Sequence, residues 1–128
     1  IEILTGCRGV DEAVLSMVRT HHERHDGSGY PLGLKGDTIP ALGKIVGICD
    51  VYQTMLDSPT AGRRLSPHDV LNYLNGRRGT LFDAAHVEEF IQAIGIYPTG
   101  TFVRLSDGSV GVVYEQNRLR RLLPRVIV

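Results

Sequence analysis

Up to about residue 96 the apolar residues recur with a helical period, and beyond it they fall into short strand-like runs. Residues 11–22 place Val14, Leu15 and Val18 at helical spacing behind Asp11, a capping residue. Residues 26–40 hold four glycines and two prolines, which predicts a loop. Residues 41–56 return to the helical period, with Leu42, Ile45, Val46, Cys49, Tyr52 and Leu56 as one apolar face. A third helix is expected from Ser66 as N-cap and Pro67 at the first helical position, running to about Asn75 before Gly76. A fourth starts after Asp83, carries Val87, Phe90, Ile91 and Ile94 at core spacing, and stops at Gly95. From Tyr97 the character changes. Strand-forming residues flank Asp107-Gly108, a hairpin signal, and residues 122–128 offer a third short strand held to an edge by Pro124.

These elements predict a mainly α fold: four helices followed by a β-hairpin or three-stranded β appendage, divided at residues 1–96 and 97–128. The chain of 128 residues has the size of one small domain, and 42% hydrophobic with 22% charged residues is ordinary for a globular protein. With 14 basic and 14 acidic side chains the net charge is zero, which argues against a generally basic nucleic-acid binder. No apolar run approaches the roughly 18 residues that span a bilayer. The chain opens on Ile1 in mid-pattern, so a piece of a longer polypeptide is expected. Cys7 and Cys49, far apart and beside apolar residues, read as buried free thiols of a reducing cytoplasm.

Composition leaves the chemistry open, and one segment narrows it. Residues 21–26, His-His-Glu-Arg-His-Asp, gather three histidines and two carboxylates within six positions. Adjacent histidines on a helix point about 100° apart, so each is better placed for one of two neighbouring metals than for a shared one. Two such metals suit phosphodiester hydrolysis. Asp50 sits among mostly apolar neighbours, where a carboxylate needs a cation, a metal or strong hydrogen bonds. Each feature also has a plain reading: a solvent-facing or capping histidine, an Asp paired with Arg or Lys, a glycine turn, an ordinary core helix.

The order of the segments favours the chemical reading. HHERHDGSGYP closely resembles the HHExxDGxGYP signature of the HD-GYP phosphodiesterases, and LGLKGDTIP, ICDVYQ and the final IGIYPTGTFVRLSDGSVGVVYEQN extend the likeness over nearly the whole chain. The resemblance implies a helical domain with a centre of two or three divalent metals, iron or manganese, that hydrolyses the bacterial second messenger cyclic di-GMP to pGpG or GMP. It implies His21, His22 and Asp50 as metal ligands. Gly27, Gly29, Tyr30 and Pro31 match the loop that contacts substrate, a loop also credited with binding GGDEF-domain diguanylate cyclases. Glu23, and with it Asp26, is expected to support the ligands, Glu23 by orienting a histidine, with a solvent-facing salt bridge as the rival.

Two departures qualify the likeness. The family's upstream His-Asp dyad and further histidines would precede Ile1, and His25-Asp26 is not that dyad. Three side chains fall short of the roughly eight to twelve contacts of a two-metal site. The expectation is therefore a fragment inactive alone, with no catalytic proton donor identifiable in it. After Asp50, Pro59 and Ala61 stand where the family often has Arg and Tyr. Arg63 and Arg64 can supply a cation for substrate phosphates or form a solvated turn. His68 and His86 read as surface residues, and Arg118, Arg120 and Arg121 as a solvated hairpin edge.

Two functions follow from the resemblance. One is a metal-dependent cyclic di-GMP phosphodiesterase. The other is a degenerate HD-GYP module that binds cyclic di-GMP or a GGDEF partner. Without upstream helices the apolar faces of residues 14–22 and 41–56 would be exposed, which predicts a homodimer or domain swap.

Overall fold

The computed structural model of the chain describes residue 3 and residues 6–58, 64–120 and 123–128. The helices with defined bounds are α1 (Glu12–Thr20), α2 (Ala41–Asp57), α3 (Pro67–Gly76) and α4 (Ala84–Ile94), with a 3-10 turn (Gly36–Thr38) between the first two. Strands β1 (Phe102–Arg104), β2 (Val110–Glu115) and β3 (Arg125–Ile127) follow, giving a mainly helical chain with a small β appendage.

Local chemistry sets the ends of these elements. The Asp11 carboxylate accepts the Ala13 N–H at 2.7 Å and opens α1. Ser66 and Asp69 form a reciprocal cap on α3: the Asp69 N–H donates to Ser66 Oγ at 3.2 Å and the Ser66 N–H to Asp69 Oδ2 at 3.0 Å. Asp83 Oδ1 accepts the His86 N–H at 3.2 Å to start α4, and Gly95, at φ +99°, ends it. The three strands pair antiparallel in the order β1-β2-β3, with Phe102 opposite Val112 and Val112 opposite Ile127. In the turn between β1 and β2, Asp107 Oδ1 accepts the N–H and the hydroxyl of Ser109, and Gly108 takes φ +87°.

The chain divides into two compact units. The first comprises Ile1–Val51 and Arg77–Val87, the second Tyr52–Gly76 and Glu88–Val128. Ile39, Ile48, Phe82 and Val87 are the buried apolar residues of the first unit; Val70, Leu71, Leu74 and Val113 are those of the second.

Three expectations are corrected. The buried residues of α2 are Gly43, Gly47 and Ile48, while Leu42 and Ile45 stay 45% and 43% exposed. Burial here follows close backbone approach at glycines rather than side-chain size. Cys49 lies on the open side of the same helix and Cys7 is exposed too, so neither is a buried thiol. His68 and His86 are half-buried rather than on the surface, each with a ring hydrogen bond described below. Among the described residues no helix is long and apolar enough to cross a membrane.

Candidate metal centre

The first unit brings the end of α1 against α2 by means of two glycines. A Cβ on Gly43 would collide with the Thr20 side chain, and one on Gly47 would lie 2.8 Å from the His21 carbonyl oxygen. Gly43, Gly47 and Asp50 recur at i, i+4 and i+7, so they share one face of α2. The same contact that seats His21 on Gly47 therefore delivers Asp50 beside the histidines. Arg24 fixes the chain as it leaves α1: its Nη1 donates to the carbonyls of His21 and Glu23 at 3.1 and 3.0 Å, and its guanidinium lies over the Phe82 ring at 5.4 Å.

One ligand atom each of His21, His22 and Asp50 lies within 4.8 Å of the others, and all three residues are half-buried. α1 stops at Thr20, with His21 as its C-cap, so His22 is off the helix. The 100° helical separation therefore does not apply, and both rings reach the Asp50 carboxylate. The rings themselves stand 4.0 Å apart between centroids, tilted by 40°. His21 Nδ1 is 2.8 Å from the Val18 carbonyl oxygen. A carbonyl only accepts, so Nδ1 carries the proton and the neutral ring keeps its lone pair on Nε2. Burial, then the nearby charges of His21 and Arg24, push the His22 pKa below its ordinary value, with Asp50 opposing. A neutral imidazole is the ligating form. Asp50 makes no hydrogen bond or ion pair among the described residues. Two imidazoles and a carboxylate form a donor set that fits a divalent transition metal.

The loop after the histidines is folded back onto them. Glu23 is 5% exposed, and its two oxygens accept the N–H groups of Leu32 at 2.7 Å and Leu34 at 2.9 Å. Among the described residues Glu23 makes neither the expected bond to a ligand histidine nor the rival surface salt bridge; its two oxygens hold loop amides instead. Asp26 shapes the loop tip by accepting the N–H and hydroxyl of Ser28, and these bonds hold its pKa below the usual carboxylate range. Gly27 takes φ +84°. Gly29 needs its missing side chain for another reason: a Cβ there would collide with the backbone of His22, Glu23 and Arg24. The Tyr30–Pro31 peptide is cis. The Tyr30 ring stacks on His22, centroids 4.8 Å apart and planes 22° apart, while the residue stays 61% exposed. Pro31 is exposed beside it.

A brace that periodicity does not reveal supports this loop. Lys44 Nζ lies 3.3 Å from Asp83 and 3.2 Å from Asp37, and His86 Nδ1 lies 3.0 Å from Asp83. The His86 hydrogen bond, helped by its backbone N–H and by Lys44, outweighs burial and holds Asp83 far below the carboxylate range. His25 Nδ1, 4.0 Å from Asp83, is buried without a hydrogen-bond partner among the described residues, and the His25 backbone ties Leu81 to Gly36. Arg64 is exposed and belongs to the second unit, as do the exposed Arg118 and Arg120. Arg63, like Pro59, Ala61 and Arg121, lies outside the described residues.

Comparison with known proteins accords with this geometry. A family model described as HD domain matches residues 1–86. A cyclic di-GMP phosphodiesterase of Pseudomonas aeruginosa is 36% identical over 126 residues, 98% of this chain and 30% of the relative. A cyclic di-GMP phosphodiesterase response regulator of Xanthomonas campestris is 38% identical over 93 residues, 71% of this chain and 24% of the relative. A 3′3′-cGAMP-specific phosphodiesterase of Vibrio cholerae is 31% identical over 93 residues, 72% of this chain and 18% of the relative. The chain thus spans a third or less of the length of these relatives. The matched residues take in the whole His21, His22 and Asp50 cluster and the loop folded over it, and the chain belongs to the HD domain family, in its HD-GYP branch.

Proposed function

We propose that the chain is part of a metal-dependent phosphodiesterase that hydrolyses cyclic di-GMP to pGpG or GMP. The observation that carries this reading is the meeting of His21, His22 and Asp50, with one ligand atom of each within 4.8 Å of the others. On this reading the three residues hold divalent iron or manganese, as part of a centre of two or three ions to which other segments contribute. When bound, the metal supplies Lewis acidity to a phosphate and makes water a nucleophile near neutral pH.

The chain's own residues do the rest. Nδ1 of His21, tied to Val18, keeps Nε2 free for ligation. Burial and the nearby charge of His21 lower the His22 pKa, which favours the neutral, ligating form of its ring. Tyr30, stacked on His22 and open on its other side, offers a ring face to a guanine base, and Gly27, Gly29 and Pro31 hold it there. Arg63 and Arg64 are proposed to meet substrate phosphates. The proton donor to the leaving oxygen is expected from another segment. Residues 1–96 would form the end of the HD-GYP helical domain and residues 97–128 an extension, in a cytoplasmic protein. A GGDEF-domain protein docking on the exposed Tyr30 loop, and a homodimer, are partners consistent with this reading.

The test is metal analysis of the full-length protein together with its hydrolysis of cyclic di-GMP and, separately, 3′3′-cGAMP. His22→Ala and Asp50→Ala should each abolish metal loading and turnover. Unchanged metal content in both would refute the ligand assignment. Loss of turnover with retained cyclic di-GMP binding in the parent protein would instead favour a degenerate binding module. Faster hydrolysis of 3′3′-cGAMP would reassign the substrate.

A further inference from the structure

The second unit contains a cavity that this chemistry does not use. Its volume is about 630 Å³, and its walls come from the start of α3, from Tyr97, and from the β1 and β3 segments. That size is typical of small-molecule sites. None of His21, His22 or Asp50 lines it.

Its lining includes the aromatic rings of His68 and Tyr97, the guanidinium of Arg104, and Asp69, whose Oδ2 accepts the Ser66 N–H in the α3 cap. His68 Nδ1 lies 3.0 Å from the Ile96 carbonyl oxygen, so it carries the proton and leaves Nε2 as an acceptor in the neutral ring. The ring stacks on Tyr97, with centroids 5.6 Å apart and planes 20° apart. Arg104 is exposed on β1 and meets no carboxylate among the described residues. Val103 and Val126 supply apolar wall.

Each group asks for something different. An aromatic pair suits a flat ring, whose π-face it can meet whatever the ring's substituents. A free guanidinium suits a phosphate, which it grips with two parallel hydrogen bonds. We propose that this cavity binds a purine mononucleotide, with the base against Tyr97 and His68 and the phosphate at Arg104.

Titration calorimetry of the chain with guanosine and adenosine 5′-monophosphates, in chelator to keep the metal centre out of the measurement, tests the proposal. At least one nucleotide should bind saturably. Arg104→Ala should weaken it about tenfold, the worth of a charge-assisted hydrogen bond. Tyr97→Ala should also weaken it about tenfold, the worth of one base stacked on an aromatic ring. A flat titration to millimolar nucleotide would overturn the proposal. So would equal binding of inorganic phosphate, which would mark a plain anion site, or an affinity that neither substitution moves.

Discussion

Glu23 shows how one buried charge organises a polar loop. Its carboxylate accepts two backbone N–H groups, from Leu32 and Leu34, and such charge-assisted bonds are each worth more than a neutral one. Removing it leaves two amides short of acceptors. Glu23→Ala should therefore cost about 3 kcal/mol in urea unfolding, and the Leu32 and Leu34 amides should exchange faster with solvent. Unchanged exchange at both amides would refute the clamp. Gly29 is constrained as tightly by shape. The atoms its Cβ would meet belong to the backbone of His22, Glu23 and Arg24, which cannot step aside as a side chain can. Gly29→Ala should cost about 2 kcal/mol and should lower metal loading, since the strain falls on the peptide that carries His22.

At the scale of elements, Asp83 is both the cap of α4 and the inner partner of Lys44, whose side chain is 9% exposed. Asp83→Ala should cost about 2–4 kcal/mol at neutral pH. The folded pKa of Asp83 lies below its unfolded value of about 4. Its stabilisation is therefore complete above pH about 4 and is lost as pH falls through the folded pKa. The gap between parent and variant should narrow below pH about 4 in thermal melts. A gap constant down to pH 2, within the roughly two units below the unfolded value, would show that the carboxylate charge is not the cause.

Element ends were legible because their causes are local. Asp11, Ser66 and Asp83 cap by bonds spanning two or three residues, and Gly95 and Asp107-Gly108 stop and turn the chain by their own backbone preference. The buried face of α2 was not legible from apolar periodicity, which looks for large residues where Gly43 and Gly47 are covered by a neighbouring backbone. Their four-residue spacing was the available signal. In the site, the expected trio of His21, His22 and Asp50 does meet. The roles of Glu23, His68 and His86 escaped because each depends on which atoms the fold brings near: loop amides, the Ile96 carbonyl and the Asp83 carboxylate.

For the whole molecule, the apolar surface left open matters most. On α2, Leu42 and Ile45 are 45% and 43% exposed, with Cys49 one turn further on the same side. On the sheet, Phe102, Val112 and Ile127 lie opposite one another across three strands, and Phe102 and Ile127 are 71% and 60% exposed. Neighbouring apolar groups of this kind favour association. Light scattering of the chain should give a mass above that of the monomer, rising with concentration. Leu42→Glu together with Ile45→Glu should return it toward the monomer if α2 carries the contact. A clean monomer of the parent chain at all concentrations would count against a homodimer.

The stack of Tyr30 on His22 has an optical consequence. The chain has five tyrosines and no tryptophan, so its ultraviolet emission comes from phenol rings alone. One of those fluorophores lies face to face with a proposed ligand. Iron or manganese arriving at His22 should quench it, so the chain carries a native reporter of metal occupancy. Titrating metal into the Tyr30→Phe variant would identify which ring gives the signal.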